Sequence, residues 1–216
     1  MNTCSDNLKQ HRHESTAQFL LEAAEAVLVR KGYDRVTMRD IAAQAGCAPG
    51  TLYLYFKHKQ DVLDAITARH SRTLLAQVNA ALATAEKPAV RLRRMLQLLI
   101  AYTHAQRSII RVLYTGQAIG PGGPPHMALP GDLPEQWNRF FASELAVVRE
   151  AQAAGQLRAD CPPESILTFL TFVLLGVRDE VVSGGALAAP EQQADMVWDF
   201  LTHGLGGTGK ERHAKR

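Results

Sequence analysis

Apolar residues in this 216-residue chain recur almost everywhere at spacings of three and four, and the alternation of a half-buried strand is nearly absent. Only a helical repeat gathers residues at that spacing onto one face, so the pattern restricts the chain to an all-α fold. Glycine and proline cut it into about nine helical segments. The first is expected over Thr16–Lys31, with Leu20, Ala23, Ala24, Val27 and Leu28 as its stripe and Gly32 ending it. A second, short helix is expected from Thr37, a good N-cap, with Asp40 three residues on completing a capping box. Gly46 breaks that helix and Pro49 suits the first position of the next.

The third segment, Thr51–Phe56, is too short to be stable alone and must dock on the first two. Helix, short helix, glycine turn and short helix is the arrangement of a helix-turn-helix. A fourth helix is expected from near Lys59 to about Ala85, with a stripe through Leu63, Ile66, His70, Leu74, Val78 and Leu82. Further helices follow Pro88, run from about Ser108 to Ile119, pass through Trp137–Val148, and open at Pro163 and Pro190. Residues 120–134 hold five prolines and four glycines and break the pattern, as either a flap over a pocket or a disordered connector.

A hydrophobic content of 46% excludes disorder. The first fourteen residues lack the apolar core of a secretion signal, and the apolar run Ile166–Val177 falls short of the ~20 residues a membrane span needs. Three scattered cysteines give no disulfide framework. These features lead to the expectation of a cytoplasmic protein without a membrane partner. The net charge of +3 gives little support for nucleic-acid binding by itself. Residues 1–70 carry 9 basic against 8 acidic side chains, whereas the last ten carry 4 against 1, so the excess lies mostly in the tail. Placement must carry the argument instead, and Thr51–Lys59 places one small hydroxyl, two tyrosines and two lysines in nine residues.

Over Leu20–Ile66 the chain resembles the DNA-binding domain of the TetR family of transcriptional regulators. The resemblance runs through Ala23-Ala24, Lys31-Gly32-Tyr33, Thr37 to Ala42, Ala45-Gly46, Gly50 to Tyr53, Tyr55-Phe56 and Lys57 to Lys59, then Leu63. It implies an N-terminal three-helix DNA-binding domain and a C-terminal helical domain for effector binding and dimerisation. The expected division is 1–14 flexible leader, 15–60 DNA-binding domain, 61–205 effector and dimer domain, and 206–216 flexible basic tail.

Thr37, Arg39, Pro49, Gly50, Thr51, Tyr53, Leu54, Tyr55 and Lys59 are the expected DNA-binding residues. Thr37 and Lys59 stand at helix N-termini, where dipole and side chain both favour phosphate. Arg39 and Thr51 are the expected base readers, Arg39 foremost, since arginine to guanine is the commonest specific contact. Tyr53 and Tyr55 are expected on phosphates, Pro49, Gly50, Thr51 and Leu54 on the outer face, and Leu52 and Phe56 in the core. Lys57 reads as a solvated neighbour. Ala48 stands where the family commonly has a capping serine, and His58 where it caps the fourth helix, so direct base readout is expected to be sparse.

Tyr102, His104, Arg111, Tyr114, Trp137, Phe141, Phe169 and Arg178 are aromatic or polar-tipped residues within apolar helices and form the expected ligand set. Ile166, Phe169, Leu170, Val173, Leu174 and Val177 spread apolar area around the eighth helix, and the resemblance implies pairing through the last two helices. Gly204–Lys210 matches the start of a phosphate-binding loop, but Glu211 replaces the required Ser or Thr and no strand precedes it. His11 and His13 make no convincing metal site, and no nucleophile, base and acid share a catalytic spacing. The expected protein is a DNA-binding regulator, a homodimeric repressor released from a palindromic operator by an unknown small-molecule effector, with no cofactor. An effectorless architectural DNA-binding protein and, further off, a helical enzyme are the alternatives.

Overall fold

The computed structural model describes the backbone of residues 3–115, 130–185 and 188–204, and the side chains of 10–113, 130–185 and 188–204. Nine helices occur among the described residues: α1 Thr3–Lys31, α2 Met38–Gln44, α3 Pro49–Tyr53, α4 Lys59–Leu82, α5 Pro88–Ala105, α6 Arg107–Thr115, α7 Leu133–Ala153, α8 Pro163–Ser183 and α9 Pro190–His203. The division at Gly32 and Gly46 is as expected. Both adopt left-handed backbone, at φ 77° and 64°, which a β-carbon disfavours. Pro49, Pro88, Pro163 and Pro190 each open a helix, where a missing N–H leaves no bond unmade.

Two boundaries differ from expectation. α1 begins at Thr3 instead of Thr16, because polar side chains support an exposed helix that has no apolar stripe to announce it: Gln10 donates to Glu14 at 3.0 Å and the Thr16 hydroxyl to the Arg12 carbonyl at 2.8 Å. α3 ends at Tyr53, short of Phe56, although the Phe56 N–H still reaches the Leu52 carbonyl at 3.0 Å.

The chain forms two compact units. Unit 1 comprises residues 1–72 and 108–134, and unit 2 comprises 73–107 and 135–216. In unit 1, Leu20, Val27 and Leu28 of α1, Ile41 of α2, Leu52 of α3 and Leu63 and Ile66 of α4 are almost wholly buried in one cluster. Leu52 alone fixes the five-residue α3 to that cluster, and Leu52→Ala would cost about 2–5 kcal/mol. α6 joins the same core through Ile109, Val112 and Leu113, although it lies beyond position 61, where the second domain was expected to begin. Glu25 ties α1 to α4: its carboxylate accepts from Arg69 and meets His70 Nε2 at 2.7 Å. Burial pushes the Glu25 carboxyl up, and the hydrogen bonds from His70 and Arg69 more than offset it, leaving its pKa below the usual range.

In unit 2, α5 packs on α8 and α9. Leu75, Val78 and Leu82 of α4 meet Leu92 and Met95 of α5 and Phe140, Val147 and Val148 of α7. A second cluster joins Leu96 and Ile100 to Val177, Val181 and Val197. No helix among the described residues is long and apolar enough to cross a membrane.

Candidate nucleic-acid interface

α2 and α3 are set at a fixed angle by the Gly46 turn, in which the Gly46 N–H donates to the Ala43 carbonyl at 3.2 Å and the Cys47 N–H to the Ala42 carbonyl at 3.0 Å. The faces of α3 then separate cleanly. Leu52 is 0% exposed, while the neighbouring Leu54 is 81% and Tyr53 51% exposed. Pro49 and Gly50 are also exposed, and Thr51 is half-buried. Arg39, on α2, is exposed, and no described residue bonds its guanidinium. Arg39, Pro49, Gly50, Tyr53 and Leu54 thus supply an open surface with one cation, one phenol and one large apolar side chain. As expected, Ala48 gives α3 no side-chain cap.

Three expected contact residues have intramolecular partners. The Thr37 hydroxyl accepts the Asp40 N–H at 3.2 Å and donates to Asp40 Oδ2 at 2.9 Å, while the Thr37 N–H donates to the same carboxylate oxygen at 3.0 Å. The capping box is complete, with Asp in the place of Glu. Lys31 donates to Asp40 at 2.7 Å, and this bond, with those of Thr37, lowers the Asp40 pKa from its ordinary 3.8 to about 2. The Tyr55 ring is half-buried against the core and stacks on His13 of α1 at 4.5 Å. Lys59 is engaged within the fold: its ammonium donates to the Tyr33 carbonyl at 2.7 Å and lies 4.2 Å above the Tyr33 ring. Burial, with the nearby Asp64 and Asp34 charges, raises the Tyr33 pKa. The lysine left exposed in this stretch is Lys57, whose side chain has no partner among the described residues. Asp61 accepts the Lys57 and His58 N–H groups at 2.8 and 3.0 Å, a cap that His58 does not itself supply.

Of the expected ligand set, the described contacts bring Trp137 and Phe141 together. Trp137 and Phe141 lie in one aromatic cluster with Phe140, at centroid separations of 5.4–5.9 Å. His104 contacts the buried Gln193 at 2.8 Å, and Tyr102 is half-buried on α5. Phe169 is 66% exposed on α8, open to the outside instead of lining an interior. Arg178 bonds Asp179 at 3.0 Å, and Arg111 belongs to unit 1. The Tyr114 side chain, most of Gly120–Pro134, the phosphate-loop match beyond Gly204 and the basic tail lie outside the described residues. A solvent-open groove of about 630 Å³ in unit 2 is lined by Leu75, Asn79, Arg91, Arg139, Ser143 and Glu150 among others, and by none of the expected set.

The sequence reading missed Glu144, 3% exposed on α7, and Gln193, 3% exposed on α9. Glu144 lies seven residues after Trp137 and three or four after the two phenylalanines. That spacing was the available signal. No group of three or more His, Cys, Asp or Glu among the described residues could hold a metal.

The sequence model of the bacterial regulatory proteins of the tetR family matches residues 20–66, the stretch that builds α2, the turn, α3 and most of the unit 1 core. The nucleoid occlusion factor SlmA of Idiomarina loihiensis is 27% identical over 197 residues, covering 91% of this chain and 96% of that protein. A transcriptional regulator of the TetR/AcrR family from Thermobifida fusca superposes with a TM-score of 0.71 at 21% identity, over 89% of this chain and 99% of its own. AibR, solved with isovaleryl coenzyme A and operator DNA, gives a TM-score of 0.65 at 20% identity, over 86% and 97%. At those identities the two structures speak to the fold.

Proposed function

Because the chain belongs to the TetR family of bacterial regulatory proteins and is a DNA-binding transcriptional regulator, we propose that it acts as a repressor whose homodimer holds a palindromic operator until a small molecule bound in unit 2 releases it. The observation that carries the DNA reading is the split between Leu52, wholly buried, and Leu54, 81% exposed, two residues apart on a helix held by a glycine turn. A large apolar side chain on the exposed face of this helix suits thymine methyls in a major groove. Arg39 is the base-reading cation and Tyr53 and Lys57 are the groups for flanking phosphates.

Dimerisation is supported by the outer faces of α8 and α9, where Phe169, Phe172, Met196 and Phe200 are 66, 65, 62 and 42% exposed. Exposed apolar residues that dense on the last two helices suit a protein interface. A two-fold pair would carry two copies of α3 to two half-sites. α4 contributes residues to both units and is the element through which an effector can act. Release requires that the effector bind the two arrangements of the dimer with different affinity.

Selection of bound fragments from genomic DNA tests this reading. The expected product is a short inverted repeat near a promoter, bound with an affinity that falls steeply with salt. Recovery of no sequence above background would sink it. The second reading, an architectural protein without an effector, is favoured by one observation, the likeness to a nucleoid occlusion factor along 91% of the chain. Bound sites scattered over the chromosome, with no metabolite in a broad library shifting the melting temperature, would select it.

A further inference from the structure

The buried face of α7 runs through Trp137, Phe140, Phe141, Glu144, Val148 and Ala151, a helical stripe in which the one ionisable side chain is central. Glu144 is 97% buried, and no described residue gives its carboxyl a hydrogen bond or a counter-ion. The indole Nε1 of Trp137, two turns away on the same face, is the buried side-chain atom left without a partner among the described residues. Folded interiors satisfy nearly all such groups, because a buried polar atom without a partner has lost its water and gained nothing in return. One orphaned indole N–H and one unpaired carboxyl on the same face of a helix, beside three aromatic rings, mark a place where a partner comes from outside the chain.

The chemistry of the face restricts that partner. Burial raises the Glu144 pKa to about 8, so near neutral pH the group waits as an acid. The basic groups on neighbouring helices are occupied elsewhere: Arg91 by Glu150 at 2.7 Å, Arg178 by Asp179 at 3.0 Å and His104 by Gln193 at 2.8 Å. An anionic ligand would therefore meet a second acid and no free cation in this stripe. A protonated amine would meet a carboxyl able to ionise against it and ring faces that attract a cation.

We propose that Glu144 and Trp137 form the recognition end of the effector site and that the effector is a lipophilic amine, its ammonium on the Glu144 carboxylate and its apolar body against Phe140 and Phe141. The inference rests on the ligand-responsive reading above and specifies the ligand class. On binding, Glu144 gives up its proton to the buffer while the ammonium keeps its own, so complex formation at pH 7 releases protons. The indole N–H is left to donate to an acceptor atom on the ligand. Its Cα lies about 10 Å along the helix from that of Glu144, at ~1.5 Å per residue.

Calorimetry with 4-phenylbutylamine and its neutral isostere 4-phenylbutanol tests this at pH 7, in buffers of different ionisation enthalpy. The amine is expected to bind at least tenfold more tightly, with proton release. Glu144→Gln, which keeps shape, is expected to abolish both the preference and the proton release. Glu144→Leu is expected to raise the melting temperature, since it removes a buried polar group that lacks a partner. Equal affinity for the two probes, no binding of either, or an amine preference that survives Glu144→Gln would overturn the proposal. A gel shift separates this from the wider reading: if the amine binds as described but leaves an operator fragment bound, the site stands and effector-driven release fails. If another compound releases the operator while neither probe binds, release stands and the amine site falls.

Discussion

Lys59 reaches back from the first turn of α4 to the main-chain carbonyl of Tyr33, 2.7 Å away, with its ammonium 4.2 Å above the same residue's ring. The Tyr33 hydroxyl in turn donates to Gln60 at 2.9 Å. The turn between α1 and α2 is thereby fastened to the start of α4, and α3 is held between them. Lys57, two residues earlier, stays exposed.

The two lysines should therefore separate in experiment. Lys59→Ala is expected to lower stability by about 1–2 kcal/mol, the scale of a charged hydrogen bond with a partly exposed cation–π contact. It should leave the salt dependence of operator binding nearly unchanged. Lys57→Ala should leave the chemical-denaturation midpoint unchanged and lower the slope of log K against log salt by about one, the signature of one lost phosphate contact. The reverse pattern would restore Lys59 as the clamp.

Asp40 makes the α1–α2 junction sensitive to acid. Its folded pKa, about 2, is depressed below the ordinary 3.8, chiefly by the hydrogen bond from Lys31. A depressed carboxyl stabilises the fold above its unfolded pKa, and that stabilisation disappears as pH falls through the folded one. The difference in urea midpoint between the native protein and Asp40→Asn should thus be constant above about pH 5 and narrow steadily below about pH 4. A difference that stays constant down to pH 3 would show that the ion pair with Lys31 contributes nothing.

The glycine breaks, the proline-opened helix starts and the cap of α2 were legible in the sequence because their causes are local, whereas the exposed start of α1 was not. Gly32, Gly46 and the four opening prolines act on their own backbone, and the Thr37–Asp40 capping box spans four residues. The partner of Lys59 was not legible, since Tyr33 lies 26 residues upstream and only tertiary packing chooses it. Glu144 was hidden for a related reason. The α7 stripe can be drawn through Glu144 or through Leu145, and an apolar pattern favours Leu145, yet Leu145 is half-buried and Glu144 buried. A side chain kept for a ligand breaks the rule by which cores are recognised. α6 was placed with the C-terminal helices by its position in the chain, whereas Ile109, Val112 and Leu113 bury in unit 1.

Leu54 and Arg39 test the open face without disturbing the core. Leu54→Ala alters a side chain that is 81% exposed, so stability should move by less than about 0.5 kcal/mol. Operator affinity should fall about fivefold, mostly at sites with thymine under that residue. Arg39→Ala should also leave the fold intact and relax discrimination at one base pair, worth about 1–3 kcal/mol. Measured against a panel of operator variants, a uniform loss for Arg39→Ala would assign it to the phosphate backbone instead.

Phe172 decides whether the outer face of α8 is an interface. It is 65% exposed, so Phe172→Glu places a charge where a monomer already meets water and should not unfold the protein. In a dimer the same carboxylate would be buried against its two-fold copy, a like-charge contact with a desolvation penalty on both sides. Sedimentation should then show a monomer with unchanged helical content. Operator affinity should fall by at least a hundredfold, because one reading head loses the second half-site that the dimer holds in reach. Retention of the dimer by Phe172→Glu, with Phe169→Glu equally silent, would move the interface elsewhere and leave this apolar face for another partner.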